Sequence, residues 1–362
     1  MFEKARFNLT GLLLGVVMFT TVVVGLVSVF LIDFSGSGGS GLPQGYDYDL
    51  TKYRHVDPAL IHYEQTAEIP LAMQRPRAVA VGPDDMIYVT GDAVVEIFDS
   101  AGNKQAKIEL PGQGQCIAVG GNEYDFPGRV YVGVRKETDS SDKPNYQLAI
   151  FDPQGQPLAS WDDLGGALLT SIALAEEDVF LADAAGRVVL RFDTSGKLLG
   201  RLGLRDERRH IPGFAIPSPY FDVAMAPDGL LNAVNPGRLR IEAYTFDGDL
   251  EASWGKAGVD IAGFCGCCNP SNIAIMADGR TVTAEKGIFR VKVYDAEGNF
   301  QCVVAGPELL TPNPTAAEET RTPHKPQPVD LATDSKQRIL VLDPNSREVR
   351  IFELKKTQEN SE

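Results

Sequence analysis

Positive charge is scarce in this chain. Its 34 Lys and Arg stand against 49 Asp and Glu, a formal net charge of −15 over 362 residues. That balance excludes a protein built to hold a phosphate backbone, which needs a basic face, so no nucleic-acid partner is expected. Histidine is sparse as well, with four copies, which argues against a catalytic metal held by several imidazoles. His55 and His62 precede the repeated part of the chain, and His210 and His324 fall in connecting loops. No G-x-S-x-G, Walker loop, dinucleotide fingerprint or H-E-x-x-H is present. Past residue 60 no apolar pattern of period 3.6 runs for ten residues, so helical repeats are excluded. What is abundant is turn material, with 36 Gly and 23 Pro. At 43% hydrophobic and 23% charged residues, the chain has enough apolar matter to fold.

Charge is also missing between Arg6 and Asp33. Residues 11–32 are Leu, Val, Phe and small side chains, long enough to cross a bilayer core as one helix. Lys4 and Arg6 lie before this run and Asp33 after it, so the positive-inside bias leaves residues 1–10 in the cytoplasm and the rest outside. The alternative is a cleaved signal peptide, although no A-x-A pattern follows the run. Residues 35–41 (SGSGGSG) lie within a flexible linker over 33–59. The expected organisation is an anchor, this linker, a periplasmic or extracytoplasmic domain over 60–354, and a tail over 355–362.

That domain repeats. An aromatic residue followed by a turn recurs at Phe98, Phe151, Phe192, Phe246 and Tyr294, with Phe352 where a sixth would fall. Upstream of each lies an aliphatic residue followed by alanine: Val79-Ala80, Ile117-Ala118, Ile172-Ala173, Val223-Ala224, Ile273-Ala274 and Leu331-Ala332. Between them run second strands such as IYVT, VYVG and VFLA, rich in β-branched residues. After each turn glycine a small residue (Ala106, Ala159, Gly200, Ala252, Cys302) precedes a bulky one two places on (Ile108, Trp161, Leu202, Trp254, Val304), as one face of a fourth strand requires. The sixth repeat ends before its fourth strand, and Ala67 and Ile69 supply the missing pair from the N-terminal side. The pattern predicts an all-β, six-bladed propeller with four-stranded antiparallel blades, closed by an N-terminal strand and preceded by one transmembrane helix. Closure removes free sheet edges.

The blocks PRAVAVGPDDMIYVTGD, SIALAEEDVFLADAAGRVVLRFDTSG and PVDLATDSKQRILVLDPNSREVRIF resemble the NHL-repeat β-propellers over about residues 60–354. The resemblance implies the fold and leaves the activity open, because that fold serves protein-interaction modules, membrane-anchored sensor domains and metal-dependent lyases or lactonases. The chain departs from the pattern at LLNAVNPGR in blade 4 and at TVTAEKG in blade 5, where Glu285 replaces the usual aspartate. Inserts at 138–146 and 307–327 are its own.

Two groups of residues carry chemistry. Cys265, Cys267 and Cys268 lie in the loop entering blade 5, and Cys116 starts the inner strand of blade 2 on the same face. Four converging thiolates suit zinc or an iron–sulfur cluster. An oxidising compartment favours a disulfide instead, and reduced structural thiols are the third possibility. Cys302 fills a slot that is Ala or Gly in other blades and reads as a small buried hydrophobe. The second group is the residue before each aliphatic-Ala pair: Ala78, Cys116, Ser171, Asp222, Asn272 and Asp330. Asp222, Asn272 and Asp330 could hold calcium or another hard cation; the plainer reading is that they bond water and strand ends near the axis. Glu285-Lys286 reads as a strand-end ion pair or turn anchor.

Three functions compete. The first is a membrane-anchored binding or assembly module that holds a protein partner on its cysteine-bearing face. The second is a metal-dependent hydrolase or lyase using the channel carboxylates, for which the resemblance supplies the precedent of a metal-bound water. The third is a redox protein cycling the loop thiols.

Overall fold

The computed structural model describes residues 18, 20, 53, 55–124, 126–136, 145–162, 164, 166–266, 268–310 and 327–356. The apolar run 11–32, apart from the helical positions Met18 and Thr20, and the linker 33–52 lie outside these. So do Cys267, His324 and most of both inserts. No helix among the described residues is long and apolar enough to cross a membrane. The chain divides into two compact units, residues 1–49 and 50–362, and the β-structure belongs to the second.

Six four-stranded antiparallel sheets form the domain. Five are consecutive in the chain, spanning residues 76–109, 113–161, 169–202, 223–254 and 272–305. The sixth combines residues 330–354 with the N-terminal strand Tyr63–Pro70, which lies outermost against Glu348–Leu354. Its register is that of an ordinary fourth strand. Ala67 opposes Ile351 and Ile69 opposes Val349, as Ala106 opposes Ile97 and Ile108 opposes Val95 in blade 1. The six-bladed propeller and its closure follow the sequence pattern. Beyond it, Ile61 bridges in parallel to Val303, so the same segment also caps the outer edge of blade 5.

Val79, Ile117, Ile172, Val223, Ile273 and Leu331 are buried in cores between blades. With their alanine neighbours, one from each inner strand, they also line an axial bore of about 310 Å³. Six inner strands converge there, and a larger side chain would close the bore.

In blades 1, 2, 3 and 5 one carboxylate builds the turn after the marker. Asp99 accepts from the N–H groups of Ala101 and Asn103, and Asp152 and Asp193 do the same in the next two blades. The glycine that follows takes positive φ; at Gly102 (φ 88°) a Cβ would also fall 2.9 Å from Ile69 of the closing strand. Blade 4 corrects the sequence reading. Its marker is Tyr244, which opposes Leu231 as Phe98 opposes Ile87, and Thr245 takes the aspartate's place in the turn. Phe246 instead packs against Phe180 and the Arg191 guanidinium of blade 3. The register misleads because Y-T-F-D carries two aromatics two positions apart.

Cys302 opposes Val293 and is buried in a cluster that includes Tyr63. Ala106, Ala159 and Ala252 hold the same slot and are exposed. The slot is buried only in blade 5, where the chain entering the closing strand covers it.

Candidate functional site

The residues preceding the aliphatic-Ala pairs stand at one axial level, and hydrogen bonds link them from blade 3 through blades 4, 5 and 6 to blade 1. Ser171 of blade 3 shares its hydroxyl with the N–H of Val223 in blade 4, at 3.3 Å. Asp222 of blade 4 accepts from Val223 N at 2.9 Å and from Ile273 N of blade 5 at 2.7 Å. Asn272 of blade 5 donates its amide to Asp330 of blade 6 at 2.8 Å. The other oxygen of Asp330 accepts from Val79 N of blade 1, also at 2.8 Å. Every carboxylate oxygen of the pair therefore has an N–H donor, and most of these bonds cross a blade boundary. Such staples add to the apolar packing between blades and fix the ring near its axis. Cys116 occupies the same level in blade 2, but its thiol lies against Gly133, where a Cβ would fall 2.4 Å from the sulfur. Burial pushes that thiol's pKa far up, so it stays protonated.

Burial also raises the carboxyl pKa of both ring acids, and the charge of Asp222 pushes Asp330 further. The sign of the consequence follows from proton counting. Between the unfolded value near 3.8 and the raised folded value of about 8 for Asp330, the folded state holds more protons than the unfolded one. Stability therefore falls as pH rises through this window. Urea midpoints measured from pH 5 to pH 8 are expected to decline, with a flatter slope in Asp222→Asn. A midpoint that rises with pH would refute the assignment.

The cysteine loop is held from behind by buried charge. Glu285 and Lys292 are fully buried, and Arg290 is 2% exposed. Glu285 receives Arg290 Nε and Nη2, both at 3.1 Å, and Lys292 Nζ at 2.7 Å. It also accepts from the backbone N–H of Cys265 at 3.0 Å. Lys292 donates to the carbonyls of Ile261 and Gly263 at 3.1 and 2.8 Å and lies over the Phe264 and Tyr294 rings. Burial lowers its pKa to about 8, with Glu285 opposing the drop. On the other side, Asn269 donates to the carbonyls of Cys265 and Lys286 and accepts from Lys286 N. Lys286 reaches over the Tyr220 ring to Ser218.

This grip recurs around the ring. In blades 1, 3 and 4 the polar residue at or beside the end of the second strand holds the loop arriving from the previous blade: Asp92 takes Gln74 N, Asp183 takes Leu168 N and Asn235 takes Ala215 N. Glu285 performs that task with a longer side chain and two buried cations. Sequence reading placed it as an ion pair or turn anchor but missed Arg290, Lys292 and Asn269. The available signal was R-V-K, two cations on one face of a strand otherwise buried.

The described thiols do not form a ligand set. Cys116 is buried between blades 2 and 3, Cys268 is buried near Tyr220, and Cys265 is half-exposed. Among the described residues no three His, Cys, Asp or Glu side chains are grouped to hold a metal ion. Zinc or a cluster therefore finds no preformed site among them, and Cys267 lies outside them. His210 is exposed, and His55 contacts Glu308 at 2.8 Å.

The axis opens to both faces. On the cysteine side a mouth of about 110 Å³ is lined by Arg77, Gln115, Tyr220, Asn272 and Asp330 among others. Asp330 also lines the bore on the far side, so the ring forms the partition between them.

No family model matches the chain, and no curated protein matches it. Solved structures do. A streptogramin B lyase is similar at 10% identity and a TM-score of 0.50, over 83% of this chain and all of that one. A catalytically inactive variant of virginiamycin B lyase from Staphylococcus aureus with quinupristin gives 12% identity and 0.50, over 81% of this chain and all of that one. At such identities the likeness establishes the six-bladed β-propeller fold and nothing about activity.

Proposed function

We propose that this protein is a membrane-anchored, extracytoplasmic propeller that serves as a binding and assembly module, with the cysteine-bearing face as its docking surface for a protein partner. The observation that carries the reading is the loop at 261–266. Its backbone is fixed from inside by Glu285, Lys292 and Asn269, while Cys265 and Gly266 stay at the surface. A loop ordered before contact loses little conformational freedom on binding. The hydrolase or lyase alternative needs Asp222, Asn272 and Asp330 to turn oxygens toward a cation, and those carboxylate oxygens are engaged by N–H donors. The lyase activity named for the structural neighbours is therefore not carried over. A photo-crosslinking residue placed at exposed Asp260, on the cysteine face, should give one discrete protein adduct in native membranes. The same residue at exposed Asp228, on the opposite face, should give none. Adducts from both positions, or from neither, would sink the reading.

A further inference from the structure

The face opposite the cysteines carries a second cavity, of about 660 Å³, in which neither the cysteine loop nor the axial ring takes part. Its walls come from the loops joining first to second strands in blades 2 to 5, with Phe246 of blade 4. The volume falls within the range of small-molecule sites, about 300–1,000 Å³. Its apolar surface is made chiefly by Met225, Ile275 and Phe246, which are partly exposed. Around it stand Glu123, Glu176 and Glu177, and no lysine, arginine or histidine lines the cavity. Asp178 is the one wall carboxylate already neutralised, by a two-pronged bond to Arg191 at 2.9 Å on each oxygen. Among the described residues no ion pair involves Glu123, Glu176 or Glu177.

Two further features favour a ligand here. Tyr124 is fixed by its hydroxyl, which donates to Leu174 O at 2.9 Å, so one aromatic wall is rigid. Both Glu123 and Glu176 lie close enough to raise the pKa of this phenol, which burial pushes to about 12. The cavity also shares Glu123, Tyr124, Leu174, Met225 and Ile275 with the alanine-lined bore. A compact pocket thus continues into a narrow axial shaft. On the same face, blades 1 and 6 are tied together by Asp85, which accepts from Ser335 N and Oγ at 2.9 Å. The opening is confined to the side of blades 2 to 5.

We propose that this cavity binds an organic cation with an apolar body, its ammonium or amidine group among Glu123, Glu176 and Glu177 and its apolar part on Met225, Ile275 and Phe246. The cavity and its apolar wall provide the binding; the unneutralised carboxylates and the aromatic faces select the charge. A neutral isostere loses that selection, and an anion is repelled.

Benzyltrimethylammonium, benzyl alcohol and benzoate serve as probes for equilibrium dialysis against the full-length protein in neutral detergent. Saturable binding of the ammonium alone is expected. Glu123→Gln with Glu176→Gln should weaken it about tenfold, equivalent to roughly 1.4 kcal/mol. Raising the salt should weaken binding to wild type more than to the double variant. Ala277→Trp, at an exposed wall position, should block binding by filling the mouth. Unchanged melting temperatures would show that these surface variants fold. Equal binding of all three probes, no saturable ammonium binding into the millimolar range, or binding indifferent to the glutamate changes would each overturn the proposal. Because the probes read the face opposite the cysteines, failure here leaves the crosslinking test of the docking face untouched.

Discussion

Glu285→Ala is expected to destabilise the propeller by about 3–5 kcal/mol, the usual cost of leaving a buried charge without its counter-ion. The variant strands Arg290 as a buried cation and takes from Lys292 the carboxylate that opposes its burial-lowered pKa, so the lysine gives up its proton at neutral pH. Arg290 loses both of its bonds to the carboxylate, and Lys292 keeps only the carbonyls of Ile261 and Gly263. Lys292 is fully buried, so water cannot replace what is lost without opening the blade. The N–H of Cys265 loses its acceptor as well. Urea unfolding of wild type, Glu285→Ala and a triple variant Glu285→Leu, Arg290→Leu, Lys292→Met separates charge from packing. The triple variant should recover most of the loss, because uncharged side chains remove the desolvation penalty altogether. It should still loosen the loop, since the carbonyls of Ile261 and Gly263 would have no ammonium to hold them. A Glu285→Ala midpoint indistinguishable from wild type would show that the three charges are not buried together.

Deleting residues 60–73 should have the largest effect of all. The deletion removes a strand paired with Glu348–Leu354 from Tyr63↔Leu354 to Pro70↔Glu348. It also removes the buried side chains Tyr63, Ile69, Leu71 and Met73. At about 1.5–3 kcal/mol for each large apolar side chain, the burial lost is of the order of the whole stability of an ordinary domain. Two new edges appear, one on blade 6 and one on the outer strand of blade 5, and exposed edges invite pairing with other chains. The expected outcome is aggregation or a melting temperature lower by more than about 10 °C. The single change Ile69→Ala should cost about 2–5 kcal/mol and keep the chain folded, which makes the graded effect measurable. A deletion variant melting within a few degrees of wild type would contradict the closure.

Much of this architecture was legible because propeller blades repeat short-range rules. The small-then-bulky pair at Ala67 and Ile69 pointed to the correct register with Glu348–Leu354 across a separation of nearly the whole domain. The marker failed only in blade 4, where Tyr244 and Phe246 compete and a one-dimensional pattern cannot tell which aromatic faces its own sheet. The axial ring was legible as a set of positions, since strand alternation puts Ser171, Asp222, Asn272 and Asp330 at one level. Its bonding was not. The acceptors are filled by the backbone of the neighbouring blade, at Val79 and Ile273, and no local pattern records which neighbour donates. The Glu285 cluster was half legible for the same reason. Its acid stands at a recognisable strand end, while Lys292 acts on a loop some 30 residues earlier. The cavity bounded by Glu123 and Glu176 has no motif at all, because four blades each contribute a turn to it.

The segment ahead of the closing strand has a mechanical meaning. A chain pulled from its N-terminal side would meet the Tyr63–Leu354 pair first and, with antiparallel strands, could peel the seam apart one bond at a time. The contacts in front of that pair include Ile61 bridged to Val303, His62 N on Val303 O at 3.2 Å, Lys355 N on His62 O at 2.8 Å and Lys355 Nζ on Ile61 O at 2.7 Å. They fasten the entering chain to blade 5 as well as to blade 6. Tension from that side is thereby divided between two sheets before it reaches the zipper, and the ring can act as a knot at the end of a line.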